Sequence, residues 1–240
     1  MIRRVLGLGA AVCLLVGTTA GGARAAMTSS IWQVVPSANP QPHLVTNSEF
    51  AGVSMGSATD GWAVGLFMAA NAVGRPLVEH WDGTAWTRVP SPAPSGRQAG
   101  LAGVDELSTG NAWAVGDSGQ NFHIPYVEHW NGTAWSLVKT PNRGGEGSLL
   151  NGITALGPGD VWAVGQTQQL NGAIMPMTDQ FNGTSWSVVP SPVPGSSGRI
   201  PDDSLDGAAS LSGGLVFAVG ARDIPGQCCL RTLGLKTSAG

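Results

Sequence analysis

Two Glu-His-Trp segments contain the residues whose spacing most readily suggests chemistry. Residues 79–86 read Glu-His-Trp-Asp-Gly-Thr-Ala-Trp, and residues 128–135 read Glu-His-Trp-Asn-Gly-Thr-Ala-Trp. An imidazole beside a carboxylate could bind a metal or transfer a proton. However, neighbouring residues of a strand point to opposite faces, and a third copy of the segment has Asp179-Gln180 instead. We therefore predict that His80 and His129 make structural hydrogen bonds along the blade, and we predict no metal site.

These segments must be positioned by a repeating unit of short strands. The Asn-Gly or Asp-Gly pair between apolar runs predicts a β-hairpin with a two-residue type I′ turn. Each unit also contains a second strand of the form Trp-Ala-Val-Gly, with Phe in place of Trp in the fourth unit. The intervals between Trp62, Trp113, Trp162 and Phe217 are 51, 49 and 55 residues. A period near 50 with four strands per unit is typical of a propeller blade.

We therefore predict an all-β fold, a β-propeller of four blades with four antiparallel strands each. The predicted blades span residues 47–92, 99–142, 149–192 and 203–236, with residues 31–36 completing the last one. Residues 31–36 read Ile-Trp-Gln-Val-Val-Pro, which matches the last strand of later units, and the fourth unit lacks that strand. Pairing of the two would close the ring and remove exposed sheet edges. A larger ring completed by a second chain is the alternative.

Two repeated positions predict how the blades pack. Gly occurs at one position of every first strand, at residues 52, 103, 152 and 207. We expect first strands to crowd around the central axis, where only Gly leaves room for another backbone. Trp62, Trp113, Trp162 and Phe217 are expected to pack between neighbouring blades.

The repeat resembles a known family of propellers. The motifs Trp-Ala-Val-Gly, His-Trp-Asn-Gly-Thr-Ala-Trp-Ser and Val-Pro-Ser-Pro, between residue 31 and about residue 236, are similar to the kelch-like repeats of secreted bacterial proteins, including many from actinomycetes. The hairpin is also similar to repeats of tectonin-like and related fucose-binding propeller lectins. Each second strand ends in one Gly rather than two, and the interval from Trp130 to Trp135 is shorter than in kelch blades. The resemblance implies the fold and is nearly silent on function.

Enzymes on similar propellers, sialidases and copper-radical galactose oxidases, use residues that this chain hardly offers. A copper-radical site needs several tyrosines, whereas Tyr126 is the single tyrosine of the sequence. A sialidase needs a Tyr nucleophile with a Glu, and Tyr126 lies inside a predicted strand. We identify no catalytic residue, cofactor or metal ligand, and we favour a non-catalytic protein. A carbohydrate-active hydrolase or lyase and a purely structural envelope protein are the alternatives.

One face of the propeller is predicted to bind a partner. This face carries the loops between second and third strands and the links between blades. These segments differ in sequence from unit to unit, whereas the loops on the opposite face repeat. Varied loops on a rigid scaffold commonly carry binding residues. The candidate binding residues are Arg75, Arg97, Asp117, Asn121, Phe122, His123, Arg143, Glu146 and Arg199.

The N-terminus has the pattern of an export signal. Arg3-Arg4 precede an apolar segment, and Ala23-Arg24-Ala25 form a cleavage site. We predict that residues 1–25 are a signal peptide, by the general or the twin-arginine route, and that residues 26–240 form one propeller domain. Cleavage would take the net charge from −3 to −6 by removing three arginines. The adjacent Cys228 and Cys229 are expected to be unpaired, with a vicinal or intermolecular disulfide as the alternative.

These observations predict a secreted, non-catalytic binding module for a glycan or an extracellular protein partner. The low charge, with no basic patch, argues against nucleic acid as a partner. No membrane span is expected in the mature form. A monomer is favoured over a two-chain ring.

Overall fold

The computed structural model describes residues 32–38, 45–93, 97–119, 123–141, 147–192, 202–223 and 231–237. Residues 1–34 and 35–240 form two compact units, which are described separately. Of the first unit the structure describes Trp32–Val34, which form no helix or strand. The predicted signal peptide and Cys228-Cys229 lie outside the described residues.

The described residues form four antiparallel sheets and no helix. Each sheet is called a blade. Blade 1 consists of β1 (Val45–Ser57), β2 (Asp60–Ala69), β3 (Gly74–Trp81) and β4 (Trp86–Arg88). Blade 2 consists of β5 (Ala99–Ser108), β6 (Asn111–Ser118), β7 (Ile124–Trp130) and β8 (Trp135–Val138). Blade 3 consists of β9 (Gly147–Gly157), β10 (Asp160–Gln168), β11 (Ile174–Phe181) and β12 (Trp186–Val189). Blade 4 consists of β13 (Ser204–Leu211), β14 (Leu215–Arg222) and β15 (Arg231–Lys236).

Within each blade the strands pair in chain order, so the predicted meander and the all-β class are confirmed. The register repeats as well. Trp62 pairs with His80, Trp113 with His129 and Trp162 with Gln180. Because side chains alternate along a strand, this register places the same kind of residue on the same face of each blade.

The hairpin between the third and fourth strands differs from the prediction. Trp130 pairs with Trp135, so the loop has four residues, 131–134, and not two. A type I′ turn needs positive φ at both central residues, but here Gly132 has φ +91° and Asn131 does not have positive φ. The type I′ prediction was therefore wrong. The physical reason is that Asn131 Oδ1 accepts hydrogen bonds from the backbone N–H groups of Thr133 and Ala134, which stabilises the longer loop.

Trp62 and Trp113 fill the first two junctions between blades, as predicted. Trp62 of blade 1 is 1% exposed and packs against Trp130 and Trp135 of blade 2, with ring centroids 4.8 and 5.0 Å away. At the next junction Trp113 packs in the same way against the aromatic rings of Phe181 and Trp186. Burial of rings this large supplies much of the packing energy of such a junction.

The prediction was wrong for Phe217, which is 39% exposed. Trp162 is only partly buried, because the described part of blade 4 has no outer hairpin to cover it.

The first strands lie closest together, and their glycines make this possible. A Cβ added to Gly52 would lie 3.0 Å from the Cα of Gly103, and one added to Gly152 would lie 2.9 Å from the Cα of Gly207. The predicted crowding is therefore confirmed for blades 1 to 4 in succession. The glycine column ends at blade 4, where, among the described residues, the side chain of Val219 is the one neighbour within 4 Å of a Cβ on Gly207.

Closure of the ring is not seen among the described residues. Blade 4 has three described strands, and residues 32–38 form no strand. The first strand of blade 1 and the second strand of blade 4 leave apolar side chains exposed, among them Val53 and Val219. Closure by residues 31–36 therefore stays a prediction.

Candidate functional site

The histidines of the repeat make structural hydrogen bonds inside their own blades, as predicted. His80 Nε2 donates to Asp60 Oδ1 over 2.6 Å, and His129 Nε2 donates to Asn111 Oδ1 over 3.0 Å. In blade 3 the amide of Gln180 makes the equivalent hydrogen bond to the carboxylate of Asp160. The repeated partner, at the start of the second strand, was missed by the sequence analysis. Because a Gln replaces His without loss of the bond, this position does not require an imidazole.

The acidic residues beside these histidines are buried and hold the links between blades. Glu79 and Glu128 are both 0% exposed. Glu128 Oε1 accepts a hydrogen bond from Ser91 Oγ, in the link that leaves blade 1. Glu79 accepts from Ser37 Oγ and from the backbone N–H of Ala38. Residues 37–38 therefore contact blade 1 in the way that the Ser91 link contacts blade 2.

Burial changes the acidity of Glu128. Burial raises its pKa to about 7, although hydrogen bonds from Ser91 and Tyr126 oppose that shift. The hydroxyl of Tyr126 lies within hydrogen-bond reach of Glu128 Oε1 and of the Pro92 carbonyl. Burial and the nearby Glu128 together raise the pKa of Tyr126. Glu128 Oε2 is buried and has no hydrogen-bond partner among the described residues.

A second buried carboxyl, Glu106, lies beside the Asp60–His80 pair at the junction of blades 1 and 2. Its Oε2 accepts a hydrogen bond from the backbone N–H of Gly56. Burial, together with the neighbouring Asp60, raises the pKa of Glu106 to about 7. Burial would raise the pKa of Asp60 too, but hydrogen bonds from Thr109, His80 and Glu106 lower it. This cluster lies at the turns between first and second strands, on the face opposite the varied loops.

The predicted binding face is built where the start of the third strand of one blade meets the start of the first strand of the next. Ser148 donates its backbone N–H to the carbonyl of His123, and Asp203 donates its N–H to that of Ile174. On this face the structure brings together two of the predicted residues. Asp117 Oδ2 and His123 Nδ1 lie 2.5 Å apart, and the His123 side chain is 59% exposed.

The remaining predicted residues divide into two groups. Arg75 is half-buried at the start of β3, and Arg97 is exposed just before β5. Arg75 directly follows Gly74, and Arg97 directly precedes Gln98. A Cβ on Gly74 would lie 3.6 Å from Gln98 Oε1, so both arginines belong to the junction of blades 1 and 2. The other predicted residues lie outside the described part of the chain: Asn121, Phe122, Arg143, Glu146 and Arg199.

Arg75 belongs to a groove on blade 1 that the sequence analysis did not predict. The groove has a volume of about 440 Å³. The guanidinium carbon of Arg88 lies 4.4 Å from the centre of the Phe67 ring, a cation–π arrangement. The lining residues are Phe67, Arg75, Pro76, Arg88, Val89, Pro90, Ser91 and Ala93. Among the described residues, no carboxylate lies within 4.0 Å of the guanidinium nitrogens of Arg75 or Arg88. We call this feature the arginine groove.

Three residues of the arginine groove interrupt the repeat. Where blade 1 has Phe67, Arg75 and Arg88, the strand registers place Ser118, Ile124 and Leu137 in blade 2. In blade 3 the same positions are Thr167, Met175 and Val188. The scaffold therefore does not need these side chains. Comparison of aligned repeats could have found Arg88, but contact with Phe67 depends on the fold.

A larger cavity, of about 540 Å³, lies between blades 3 and 4. Trp162 lines it together with Gln180 and Lys236. At the other two junctions an aromatic hairpin of the following blade covers the equivalent tryptophan. No such hairpin is present in the described part of blade 4. The cavity therefore lies where an outer strand would stand, and the described residues of blade 4 include no such strand.

The described residues contain neither a cluster of metal-binding side chains nor a membrane-spanning helix. No three His, Cys, Asp or Glu side chains come together there in a way that could hold a metal ion. In the same residues, no helix is long and apolar enough to cross a membrane.

Comparisons with known proteins give little beyond this geometry. No family model matches the chain, and no curated protein matches it. Among solved structures, the chain is similar to one described as YCF48 bound to D1 peptide. The two share 17% sequence identity with a TM-score of 0.44. The match covers 83% of this chain and 60% of the YCF48 chain, so this chain spans less than two thirds of the length of that chain.

Proposed function

We propose that this protein is a secreted, non-catalytic β-propeller module that binds a carboxylate-bearing glycan through the arginine groove. The observation that carries the proposal is that Arg75 and Arg88 line one groove together with Phe67, at positions where the repeat is interrupted. The kelch-like and tectonin-like resemblance of the repeat, and export by the N-terminal segment, are part of the proposal and rest on the sequence.

The groove has the chemistry that an acidic sugar requires. A guanidinium offers planar paired donors that match the two oxygens of a carboxylate. Phe67 orients Arg88 and offers an apolar surface beside the charge. The groove volume of about 440 Å³ lies within the usual range for small-molecule sites, about 300 to 1,000 Å³. A small concave site of this kind favours a sugar residue over a broad protein surface.

Calorimetric titration with uronic-acid oligosaccharides, compared with neutral oligosaccharides of the same length, tests the proposal. We expect binding of the acidic series only. Arg88→Ala should weaken binding about 10-fold to 100-fold, because a charge-assisted hydrogen bond contributes about 1.5–3 kcal/mol. Arg88→Lys should have an affinity between those of the unmodified protein and Arg88→Ala, since the positive charge stays but the paired guanidinium donors are lost.

Lys139→Ala is the matched control, because Lys139 is an exposed cation at the end of the outer strand of blade 2. It should bind as the unmodified protein does. Equal affinity for acidic and neutral oligosaccharides, or full affinity in Arg88→Ala, would refute the proposed ligand class.

A further inference from the structure

The free face of blade 1 exposes positions that the later blades bury. Val53 is 65% exposed, whereas the equivalent Val104 and Ile153 are 8% and 7% exposed. Phe50 is 42% exposed, whereas Leu101 at the same position is 3% exposed. In blades 2 and 3 these positions are covered by the second strand of the preceding blade. Each junction packs the second strand of one blade against the first strand of the next. Blade 1 therefore presents a first strand that no second strand of the described residues covers.

Blade 4 exposes the complementary positions. Val219 is 58% exposed and Phe217 is 39% exposed. Val219 is equivalent to Val64 and Val115, each 0% exposed. Val64 packs in one cluster with Val104, and Val115 in one with Ile153. Blade 4 thus presents a second strand that no first strand in the described part of the chain covers.

The face of blade 1 also carries a junction link that is already in place. Ser37 and Ala38 hydrogen-bond to Glu79 as Ser91 does to Glu128. Val35 lines a recess of about 430 Å³ with Phe50, Val53 and Trp86. At the next junction the equivalent Val89 packs against the buried cluster. The link is therefore already in place on this face. What the face lacks, within the described ranges, is an apolar second strand packed against it, and blade 4 exposes such a strand.

We propose that a second copy of the chain covers these faces, with blade 4 of each copy packed on blade 1 of the other. Three successive junctions between first and second strands are made within the chain, and among the described residues they leave both faces uncovered. Because blade 1 and blade 4 of one chain do not cover each other's exposed valines, the proposed ring has more than four blades. Two copies supply eight blades, which is within the range of about 4–8 for propellers. Two identical head-to-tail contacts close such a ring.

Light scattering after size-exclusion chromatography tests this assembly on the exported protein. The expected mass is twice that of one chain. Val219→Glu should give single chains, because a charge would be buried against Val53. Leu137→Glu is the matched control, since Leu137 is a 51% exposed residue on an outer strand, and it should leave the double mass unchanged. Circular dichroism of each variant checks that it is folded.

A disulfide experiment separates a second copy from closure of one chain, even if Val219→Glu fails to fold. Val53→Cys and Val219→Cys are made on separate chains that carry Cys228→Ser and Cys229→Ser, and are mixed under oxidising conditions. We expect a covalent two-chain product on a non-reducing gel. Single-chain mass for the unmodified protein, polymers larger than two chains, or a disulfide only when both cysteines are on one chain would overturn the proposal.

Discussion

Glu128→Gln should make the protein more stable at alkaline pH and leave it nearly unchanged in acid. Burial raises the pKa of Glu128 to about 7 in the folded protein, from an ordinary value of 4.5. A raised carboxyl pKa means that the folded state binds the proton more tightly than the unfolded state. The contribution to stability is therefore fully present below pH 4.5 and is lost as the pH rises through 7.

The size of the effect follows from the same shift. A difference of about 2.5 pKa units at about 1.36 kcal/mol per unit corresponds to roughly 3 kcal/mol. Gln keeps the Oε1 acceptor for Ser91 Oγ, which lies 2.6 Å away, and carries no charge to bury. We expect the Gln variant to exceed the unmodified protein in free energy of unfolding by up to ~3 kcal/mol at pH 8.5. At pH 4.5 the two should agree within ~1 kcal/mol.

Urea denaturation followed by tryptophan fluorescence, at several values between pH 4.5 and pH 8.5, measures this difference. Other buried acids with raised pKa values, such as Glu106 and Asp105, contribute equally to both proteins and cancel. Glu49→Gln, at an exposed glutamate, is the control and should unfold as the unmodified protein does. A Gln variant that is equally or less stable at pH 8.5 would refute the argument from burial.

Three further predictions concern the scaffold, and thermal or urea unfolding checks each of them. Gly116→Ala should be strongly destabilising, because its Cβ would lie 2.0 Å from the Gly100 carbonyl oxygen. Gly157→Ala should cost little, because no atom of the described residues lies within 4 Å of its Cβ, and equal effects would contradict the steric explanation. Trp113→Ala should cost about 3–5 kcal/mol and Trp162→Ala clearly less, since Trp113 is 3% exposed and Trp162 lines an open cavity; the reverse order would show that the cavity is filled in solution. Asn131→Ala should cost about 1–2 kcal/mol by removing the acceptor for two loop N–H groups, whereas Asn131→Asp should be tolerated because blade 1 has Asp82 making the same contacts.

Much of the architecture could be predicted from the repeat. The spacing of Trp62, Trp113 and Trp162 indicated successive blades, and the structure has one antiparallel sheet per unit. The structural role of His80 was predictable because Gln180 occupies the same position. The turn type was not, because a hydrogen bond to the Asn131 side chain competes with the backbone preference of an Asn-Gly pair.

The candidate site was harder to predict. Arg75 was found because it lies in a varied segment, but Arg88 lies in a repeated strand and was passed over. Their convergence on Phe67 depends on strand register and on the path of the link after β4. Nothing local in the sequence indicates such a contact, because the three residues are separated by at least eight positions.

By itself, the sequence determined the features that depend on neighbouring residues: strands of alternating side chains, loops containing Gly at residues 83, 132 and 183, and the four-strand unit. These follow from backbone preferences and side-chain alternation, which act over a few residues. Only the tertiary structure decided which groups become buried together. It placed Glu128 out of contact with water, brought Arg88 over Phe67, and left Val53 and Val219 uncovered. Burial and long-range contact depend on how whole blades pack, and a local pattern does not encode where the last blade ends relative to the first.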